Sequence, residues 1–340
     1  MRLYTNEIVF RGHPDKVCDQ ISDALLDAYL SKDKSSRCGI EVVGGKGKIF
    51  ITGEVTSKAS INIEKIVKRV LKEVGYNQKY KIINNLGKQS PDIVLGTNDK
   101  TGGAGDQGMM FGYACNDTKE LLPTAMVILQ KLSKWYDKER QTCPYLRSDG
   151  KAEITGYYDD KMKLKKIKYF TISYQNDEEH RDYTDTLIKE ACINICKEYN
   201  IEIENFLINP TGKFKIGGFK GDSGLTGRKI VVDSYQSFCK VGGGAFSGKD
   251  PTKVDRSAAY KAREIAKNYL KKYNLSWCEV VISYAIGIDK PLSIYIDSDK
   301  GYIEPEDTLY LECTPKNIIK DLDLLNITYE EKARFGHFQD

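Results

Sequence analysis

The stretch that decides the fold is residues 242–257, which read Gly-Gly-Gly-Ala-Phe-Ser-Gly-Lys-Asp-Pro-Thr-Lys-Val-Asp-Arg-Ser. Asp250 is a favourable helix N-cap and Pro251 suits the first helical position, so we expect a helix to begin there. Its unpaired backbone N–H groups and the positive end of its dipole would attract an anion. Lys249 and Lys253 add two cations, so the stretch predicts a polyphosphate site. The alternative is a flexible glycine hinge before a surface helix.

This stretch is not a P-loop, although the spacing of Gly243, Gly248 and Lys249 is close to one. Asp250 occupies the position where that motif needs a magnesium-binding Ser or Thr. The apolar run 229–233, which we expect to be a strand, also ends well before the glycines.

The composition favours a small anionic partner. The chain has 340 residues and a net charge of +4, with charges interspersed, which argues against nucleic acid and a membrane surface as partners. Residues 1–10 carry no signal-peptide core and no apolar run could span a bilayer, so we expect a cytoplasmic protein. The nine cysteines are an odd count without disulfide framework spacing. The closest pair, Cys192 and Cys196, lies on one face of an amphipathic segment and is expected to be buried and reduced.

Hydrophobic periodicity predicts one pattern three times: a helix, a pair of strands and a second helix. The three copies are predicted at 17–28, 38–43, 48–56 and 61–74; at 118–137, 152–157, 164–174 and 181–199; and at 251–272, 278–287, 293–297 and 315–325. The fold class is therefore α+β, with three similar domains of helices packed on small mixed sheets. The glycine-rich segment 87–108 is expected to be a mobile cover over an active site or a disordered linker.

Three more segments carry candidate chemistry. Residues 12–16, Gly-His-Pro-Asp-Lys, open the first helix and suggest a second site for an anion and a metal, although they could simply start a helix. Residues 217–229 are glycine-rich and end in two adjacent cations before the expected strand, so backbone there could approach a ligand closely. Residues 102–108 present one carboxylate, Asp106, among glycines.

Together, segments 12–24, 103–113, 209–212, 221–233 and 242–260 resemble the S-adenosylmethionine synthetase family, in the family's order. The resemblance covers nearly the whole chain. It implies three domains related by pseudo-threefold symmetry, which we place at 2–88, 101–215 and 217–338. It also implies a homodimer or homotetramer with active sites between subunits.

The family's reaction joins L-methionine to the adenosyl group of ATP and then hydrolyses tripolyphosphate to pyrophosphate and phosphate. The resemblance implies two Mg²⁺ ions per site and K⁺ as cofactors, with ATP as a substrate. A thioether sulfur has no proton to lose, so its attack on the ribose 5′ carbon requires no general base. Catalysis should come from cations and metals placed along the developing negative charge.

The resemblance also assigns residues. The implied catalytic residues are His13, Asp106, Lys151, Arg228, Lys229 and Lys249. ATP is expected to contact His13, Asp149, Lys151, Lys213, Phe214, Asp222, Arg228, Lys229, Ala245 and Lys249. Methionine is expected to contact Glu54, Gln89, Asp222 and Lys253. The implied metal ligands are Asp15 and Asp255 for Mg²⁺ and Glu41 for K⁺, although Glu41 could be a solvent-facing strand carboxylate.

The chain departs from the family pattern at Arg11, a position that is usually acidic, and at Gln236-Ser237, which replace a usual glycine pair. Two other functions stay open. A tripolyphosphatase or ATP hydrolase would need the phosphate cations but not Glu54, Gln89 and Lys253. A noncatalytic subunit would be expected to have lost phosphate cations or metal carboxylates, and this chain retains them.

Overall fold

The computed structural model describes residues 1–89 and 102–339, whose strands form three sheets. The first sheet has the order β1-β6-β7-β8, the second β11-β10-β5 and the third β4-β3-β2-β9. The strands are β1 Arg2–Val9, β2 Arg37–Gly45, β3 Lys48–Thr56, β4 Lys81–Gly87, β5 Gly108–Cys115, β6 Leu146–Tyr158, β7 Leu164–Asn176, β8 Ile203–Ile208, β9 Gly224–Leu225, β10 Trp277–Tyr284 and β11 Ser293–Ser298. Most neighbouring strands are antiparallel, whereas the pairs β3–β4 and β7–β8 are parallel.

The helices complete three similar units, which confirms the predicted α+β class. The helices are α1 Pro14–Lys32, α2 Ile63–Val74, α3 Thr124–Glu139, α4 Arg181–Lys197, α5 Gly218–Gly221, α6 Ile230–Asp233, α7 Val254–Lys272, α8 Asp307–Glu312, α9 Pro315–Asp321 and α10 Tyr329–Lys332. Each unit consists of a long helix, a strand hairpin and a further helix: α1-β2-β3-α2, α3-β6-β7-α4 and α7-β10-β11 followed by α8 and α9. Strand β6 begins six residues before its predicted bound, whereas β7 begins at the predicted residue and extends two residues beyond its predicted end.

Each sheet takes one strand from a distant part of the chain. Strand β1 pairs with β6, β5 pairs with β10, and β9 pairs with the end of β2. Each of these pairs joins strands from two different predicted domains. The domain bounds 2–88, 101–215 and 217–338 stay a prediction.

Helix α1 is largely buried and packs against β2, β9, α2 and α10. One hydrophobic core includes α1 together with residues of the first and third units, and a second core lies under the sheet of β6 and β7. The polar face of α1 is buried as well: Lys16, Asp19, Gln20 and Asp23 are each at most 1% exposed. This burial brings distant loops into contact with one helix.

Two local predictions were wrong. The helix expected at Pro251 begins at Val254, because the Asp250 carboxylate accepts from the N–H of Cys38 (2.7 Å) and of Thr252 (2.9 Å) and closes a turn instead of capping the helix. The apolar run 229–233 was expected to be a strand, but α6 occupies it. An apolar run this short does not distinguish a strand from a helix.

Other expectations concern thiols and membranes. Cys192 and Cys196 are free and buried, as predicted, and so are the other seven cysteines. No helix in the described ranges is both long enough and apolar enough to cross a membrane. Most of the predicted cover, residues 90–101, lies outside the described residues.

Candidate active site

The first cluster of candidate residues forms at the start of α1; we call it the His13 cluster. Its members are His13, Asp15, Asp149, Lys151, Asp222, Arg228 and Lys229. Helix α1 begins as predicted, with Pro14 at its first position and His13 as its N-cap, whose Nδ1 accepts from the N–H of Asp15 at 3.2 Å. Backbone packing brings the other segments close. A Cβ on Gly12 would lie 2.3 Å from the Ser148 oxygen, and one on Gly224 would lie 2.2 Å from the Pro14 oxygen.

The environment of His13 keeps its imidazole neutral. Burial lowers its pKa to about 4; the charges of Lys229 and Lys151 act in the same direction, and those of Asp15 and Asp222 oppose them. Because Nδ1 accepts a hydrogen bond, a neutral ring carries its proton on Nε2. His13 is therefore a neutral donor among cations, a form suited to hydrogen bonding with a phosphate oxygen.

The Asp15 carboxylate lies close to two cations, Arg228 and Lys229. It is 1% exposed, and its oxygens accept from the Lys229 ammonium at 2.6 Å and from the N–H of Leu225 at 3.0 Å. The Arg228 Nε lies 3.6 Å from the same carboxylate. The structure thus joins the two cations of the 217–229 segment to the start of α1.

Asp149 and Lys151 reach the His13 cluster from β6. The Asp149 carboxylate accepts from the N–H of Gly218 at 2.7 Å. Burial raises the pKa of Asp149 to about 6, an effect that its backbone hydrogen bonds offset and that Asp222 and Asp15 reinforce. Lys151 is exposed and lies opposite Val9 in the β1–β6 pair.

Lys213 and Phe214 precede the same glycine-rich segment, and the structure places them less closely. The Phe214 carbonyl accepts from the N–H of Asn176 at 3.1 Å, and its side chain is partly exposed. Lys213 forms an exposed ion pair with Glu178 at 3.1 Å. Their predicted contact with ATP stays a prediction.

The second cluster, which we call the Lys249 cluster, lies around the start of α7. Its members are Glu54, Gln89, Asp106, Lys249, Lys253 and Asp255. The Lys249 ammonium contacts the Asp255 carboxylate, and the Lys253 ammonium lies 3.2 Å from the Asp250 carboxylate. A Cβ on Gly105 would lie 3.5 Å from the Lys253 side chain. Asp106 is the next residue in the chain, so its backbone lies close to this contact.

Glu54 joins the Lys249 cluster through the β2–β3 pair. Glu54 lies opposite Gly39, and a Cβ added to Gly39 would lie 3.4 Å from the Glu54 Cγ. Gly39 in turn forms a β-bridge with Lys249. Glu54 is also opposite Gly87 in the parallel β3–β4 pair, two residues before Gln89. The predicted methionine residues Glu54, Gln89 and Lys253 therefore come from segments that converge beside Lys249.

The two clusters lie on loops that touch each other. A Cβ on Gly227 would lie 2.6 Å from the Ala245 Cβ, so Ala245, a predicted nucleotide contact, lies against the loop of Arg228 and Lys229. Glu41 lies on β2 with an exposed side chain, opposite Thr52. This position agrees with the alternative of a solvent-facing carboxylate and does not test the K⁺ prediction.

The carboxylates suit a metal that is bound together with phosphate. Among residues 1–89 and 102–339, no group of three or more His, Cys, Asp or Glu residues is arranged to hold a metal ion. Mg²⁺ commonly binds through one or two carboxylates plus substrate phosphate oxygens, so single carboxylates such as Asp15 and Asp255 beside cations fit that ion.

The two departures from the family pattern have structural explanations. Arg11 is 6% exposed and donates to Gln20 (2.8 Å) and to the Asp137 carboxylate (3.2 Å), so its charge is compensated behind His13. Gln236 and Ser237 have φ angles of 51° and 79°, in the left-handed region that glycine adopts most easily. This turn therefore has the left-handed backbone conformation that favours glycine, although neither residue is a glycine.

Sequence reasoning missed two buried carboxylates on α1. Asp19 accepts from the N–H of Gly227 at 2.8 Å, and Asp23 accepts from the N–H of Gly248 at 2.8 Å. Both residues are fully buried. The signal was present in the sequence, since Asp15, Asp19, Asp23 and Asp27 recur every four residues and so lie on one helix face.

Three α+β units around two clusters that pair cations with carboxylates are typical of an enzyme with a phosphate-bearing substrate. Comparison with known families identifies which one. Residues 1–91, 101–214 and 216–340 match the models of the N-terminal, central and C-terminal domains of S-adenosylmethionine synthetase.

Similar proteins cover nearly the whole chain. An S-adenosylmethionine synthase of Clostridium tetani is 42% identical over 369 residues, covering 99% of this chain and 94% of the relative. Those of Helicobacter hepaticus and of a Nitratiruptor species are 42% and 43% identical, each covering 99% of this chain and 92% of the relative. The chain therefore belongs to the S-adenosylmethionine synthetase family, and it is a transferase.

Proposed function

We propose that the His13 and Lys249 clusters are the two parts of an active site in which this chain makes S-adenosylmethionine from ATP and L-methionine. The family supports the reaction, and the convergence of the predicted residues into two clusters supports the site. The observation that carries the proposal is the pairing of Lys229 with Asp15 and of Lys249 with Asp255.

The chemistry requires charge stabilisation rather than proton abstraction. A lone pair of the methionine sulfur forms a bond to the ribose 5′ carbon, and the C5′–O bond breaks with its electrons leaving on tripolyphosphate. The leaving group gains negative charge, which Arg228, Lys229 and Lys249 would stabilise, while His13 donates from Nε2. Water then cleaves tripolyphosphate into pyrophosphate and phosphate within the same set of cations.

The carboxylates would bind metals and the sulfonium product. Asp15 and Asp255 would hold Mg²⁺ together with phosphate oxygens, and Glu41 would contribute to a K⁺ site. When bound, these ions neutralise phosphate charge and orient the leaving group. Asp106 beside Lys253 would stabilise the positive sulfonium, and Glu54, Gln89 and Asp222 would bind the polar groups of methionine.

Binding of the nucleotide would exchange the partners of the paired residues. The ammonium groups of Lys229 and Lys249 contact carboxylates in the structure. A polyphosphate with Mg²⁺ offers anionic oxygens to the lysines and a cation to the aspartates. Each group therefore retains an opposite charge after the exchange, which keeps the cost of binding low.

The family's shared active sites also lead us to propose a homodimer or homotetramer, in which the His13 cluster of one subunit faces the Lys249 cluster of another. The exposed apolar residues Val43 and Phe50 on β2 and β3, and Met109 on β5, support an interface on these sheets. We also propose a cytoplasmic location, which the nine reduced thiols support.

The test is an assay of the purified protein with ATP, methionine, Mg²⁺ and K⁺. We expect S-adenosylmethionine together with pyrophosphate and phosphate. Release of phosphate from ATP or tripolyphosphate without S-adenosylmethionine would instead establish a hydrolase. Nucleotide binding without turnover would establish a noncatalytic subunit.

A further inference from the structure

Helix α1 carries four aspartates at intervals of four residues, and each accepts a backbone hydrogen bond from a distant segment. Asp15 accepts from Leu225 at 3.0 Å, Asp19 from Gly227 at 2.8 Å and Asp23 from Gly248 at 2.8 Å. Asp27 accepts from the N–H groups of Tyr329 and Glu330, both at 2.9 Å. We call this row of residues the aspartate ladder.

The two middle members of the ladder hold the loops that carry the proposed phosphate cations. Gly227 directly precedes Arg228 and Lys229, and Gly248 directly precedes Lys249. A hydrogen bond from a backbone N–H to an ionised carboxylate is stronger than one between neutral groups. The backbone next to each cation is therefore fixed to α1 by a carboxylate.

The loops also have little freedom to move toward or away from the helix. Gly227 and Gly248 have φ angles of 81° and 82°, and a Cβ on Gly248 would lie 1.9 Å from the Ile40 oxygen. On the far side, Gly227 meets Ala245 of the other loop. The Gly248 loop is therefore enclosed by the Ile40 backbone and the Gly227 loop by the Ala245 side chain, and each has one carboxylate beneath it.

Other buried cations keep the two middle carboxylates in position. The Lys16 ammonium lies 2.8 Å from the Asp19 carboxylate, and the Arg256 guanidinium donates to both oxygens of Asp23 at 2.8 and 2.7 Å. All four side chains are fully buried. The ladder is thus rigid on its helix side as well as on its loop side.

We propose that Asp19 and Asp23 are positioning residues for catalysis, which hold the loops of Lys229 and Lys249 at fixed places relative to helix α1. The proposal rests on the proposed role of those lysines. A displacement of about 1 Å in a reacting site can lower a rate about 100-fold, so loss of a ladder contact should affect turnover.

The test compares Asp19→Ala with Asp19→Asn, and uses Asp27→Ala as the matched control. Asn retains an oxygen that can accept from Gly227, whereas Ala does not. Asp27→Ala removes the same type of bond from the same helix, but the segment it releases carries none of the proposed site residues. We expect Asp19→Ala to lower kcat about 10- to 100-fold and the other two variants to retain most of kcat.

Hydrogen exchange provides a readout that does not depend on activity. In Asp19→Ala the amides of residues 225–229 should exchange faster, while those of residues 246–249 stay protected. Asp23→Asn keeps only one of the two oxygens that bind the buried Arg256 guanidinium, so in that variant we expect the reverse pattern, with faster exchange at residues 246–249. If Asp19→Ala does not fold, Asp19→Ser replaces it, because its shorter side chain cannot reach Gly227.

Two results would overturn the proposal. The first is an equal loss of kcat in Asp19→Ala and Asp27→Ala, which would mean that the ladder acts only on stability. The second is unchanged exchange at Gly227 in Asp19→Ala. A parallel Lys229→Ala variant separates this question from the proposed function, since normal turnover in that variant would refute the site and leave the exchange result valid.

Discussion

Replacing Asp149 with Asn should make the protein more stable at neutral pH and less active. Asp149 is 6% exposed, and its carboxylate accepts from the N–H of Gly218 at 2.7 Å. Burial raises its pKa from 3.8 to about 6. A carboxylate with a raised pKa is costly to keep ionised in the folded protein, and the Asn side chain removes that cost while retaining an oxygen for Gly218.

The magnitude follows from the shift in pKa. The native pKa lies above the unfolded value, so the contribution of Asp149 to stability is complete below about pH 4 and is lost as pH rises through about 6. A shift of about two units corresponds to ~3 kcal/mol, the largest gain in unfolding free energy that Asp149→Asn can give. The gain should be small near pH 4 and reach its full size above about pH 7.

The assay is denaturant unfolding of both proteins at several pH values, with adenosyl transfer measured on the same samples. Asp160→Asn is the control, since Asp160 is exposed and its ion pair with Arg2 at 3.7 Å should contribute little. We expect Asp149→Asn to lower adenosyl transfer about 10-fold or more, because the proposed site loses a charged contact with the nucleotide. A stability difference that does not vary with pH, or a less stable variant at pH 8, would refute the reasoning.

Three further predictions concern the proposed site. Lys249→Ala should fold normally and lower adenosyl transfer about 100-fold or more in single-turnover measurements, and a near-normal rate would remove Lys249 from the site. The pKa of His13 lies near 4, so the rate should show no histidine titration between about pH 6 and 8; a step near pH 6.5 that disappears in His13→Asn would contradict the neutral imidazole. Activity should fall on dilution. If the clusters of different subunits face each other, mixed dimers of Asp15→Asn and Lys249→Ala chains should recover activity, because one of their two sites is intact. Mixed dimers that are shown to form but have no activity would argue against a shared site.

Local signals predicted the parts of the fold that depend on local chemistry. Pro14 and His13 placed the start of α1 correctly, because proline is tolerated at the first helical position. Alternating apolar residues predicted the β2–β3 hairpin, observed at Arg37–Gly45 and Lys48–Thr56. The buried thiols of Cys192 and Cys196 were likewise predicted from their place on one face of an amphipathic segment.

The parts that failed depend on contacts between distant residues. No local pattern indicates that β1 pairs with β6 or β5 with β10, since pairing depends on how the whole chain packs. Asp250 stands where the sequence predicts a helix N-cap, but its carboxylate accepts a hydrogen bond from the N–H of Cys38, 212 residues away in the chain. Asp19 and Asp23 could have been found from their four-residue repeat, although the loops they bind could not.

The pairing of cations with carboxylates in both clusters explains how a site for a highly charged substrate can be assembled in advance. Several unpaired cations within a few ångströms of each other would repel and displace one another. Here Lys229 and Lys249 are each held by a carboxylate, and those carboxylates, Asp15 and Asp255, are the proposed metal ligands. A polyphosphate that brings its own cations can replace both partners at once, whereas a phosphate without metal would leave the carboxylates beside its oxygens. We therefore infer that the same ion pairs which keep the cations in place also make the site selective for a metal-bound nucleotide.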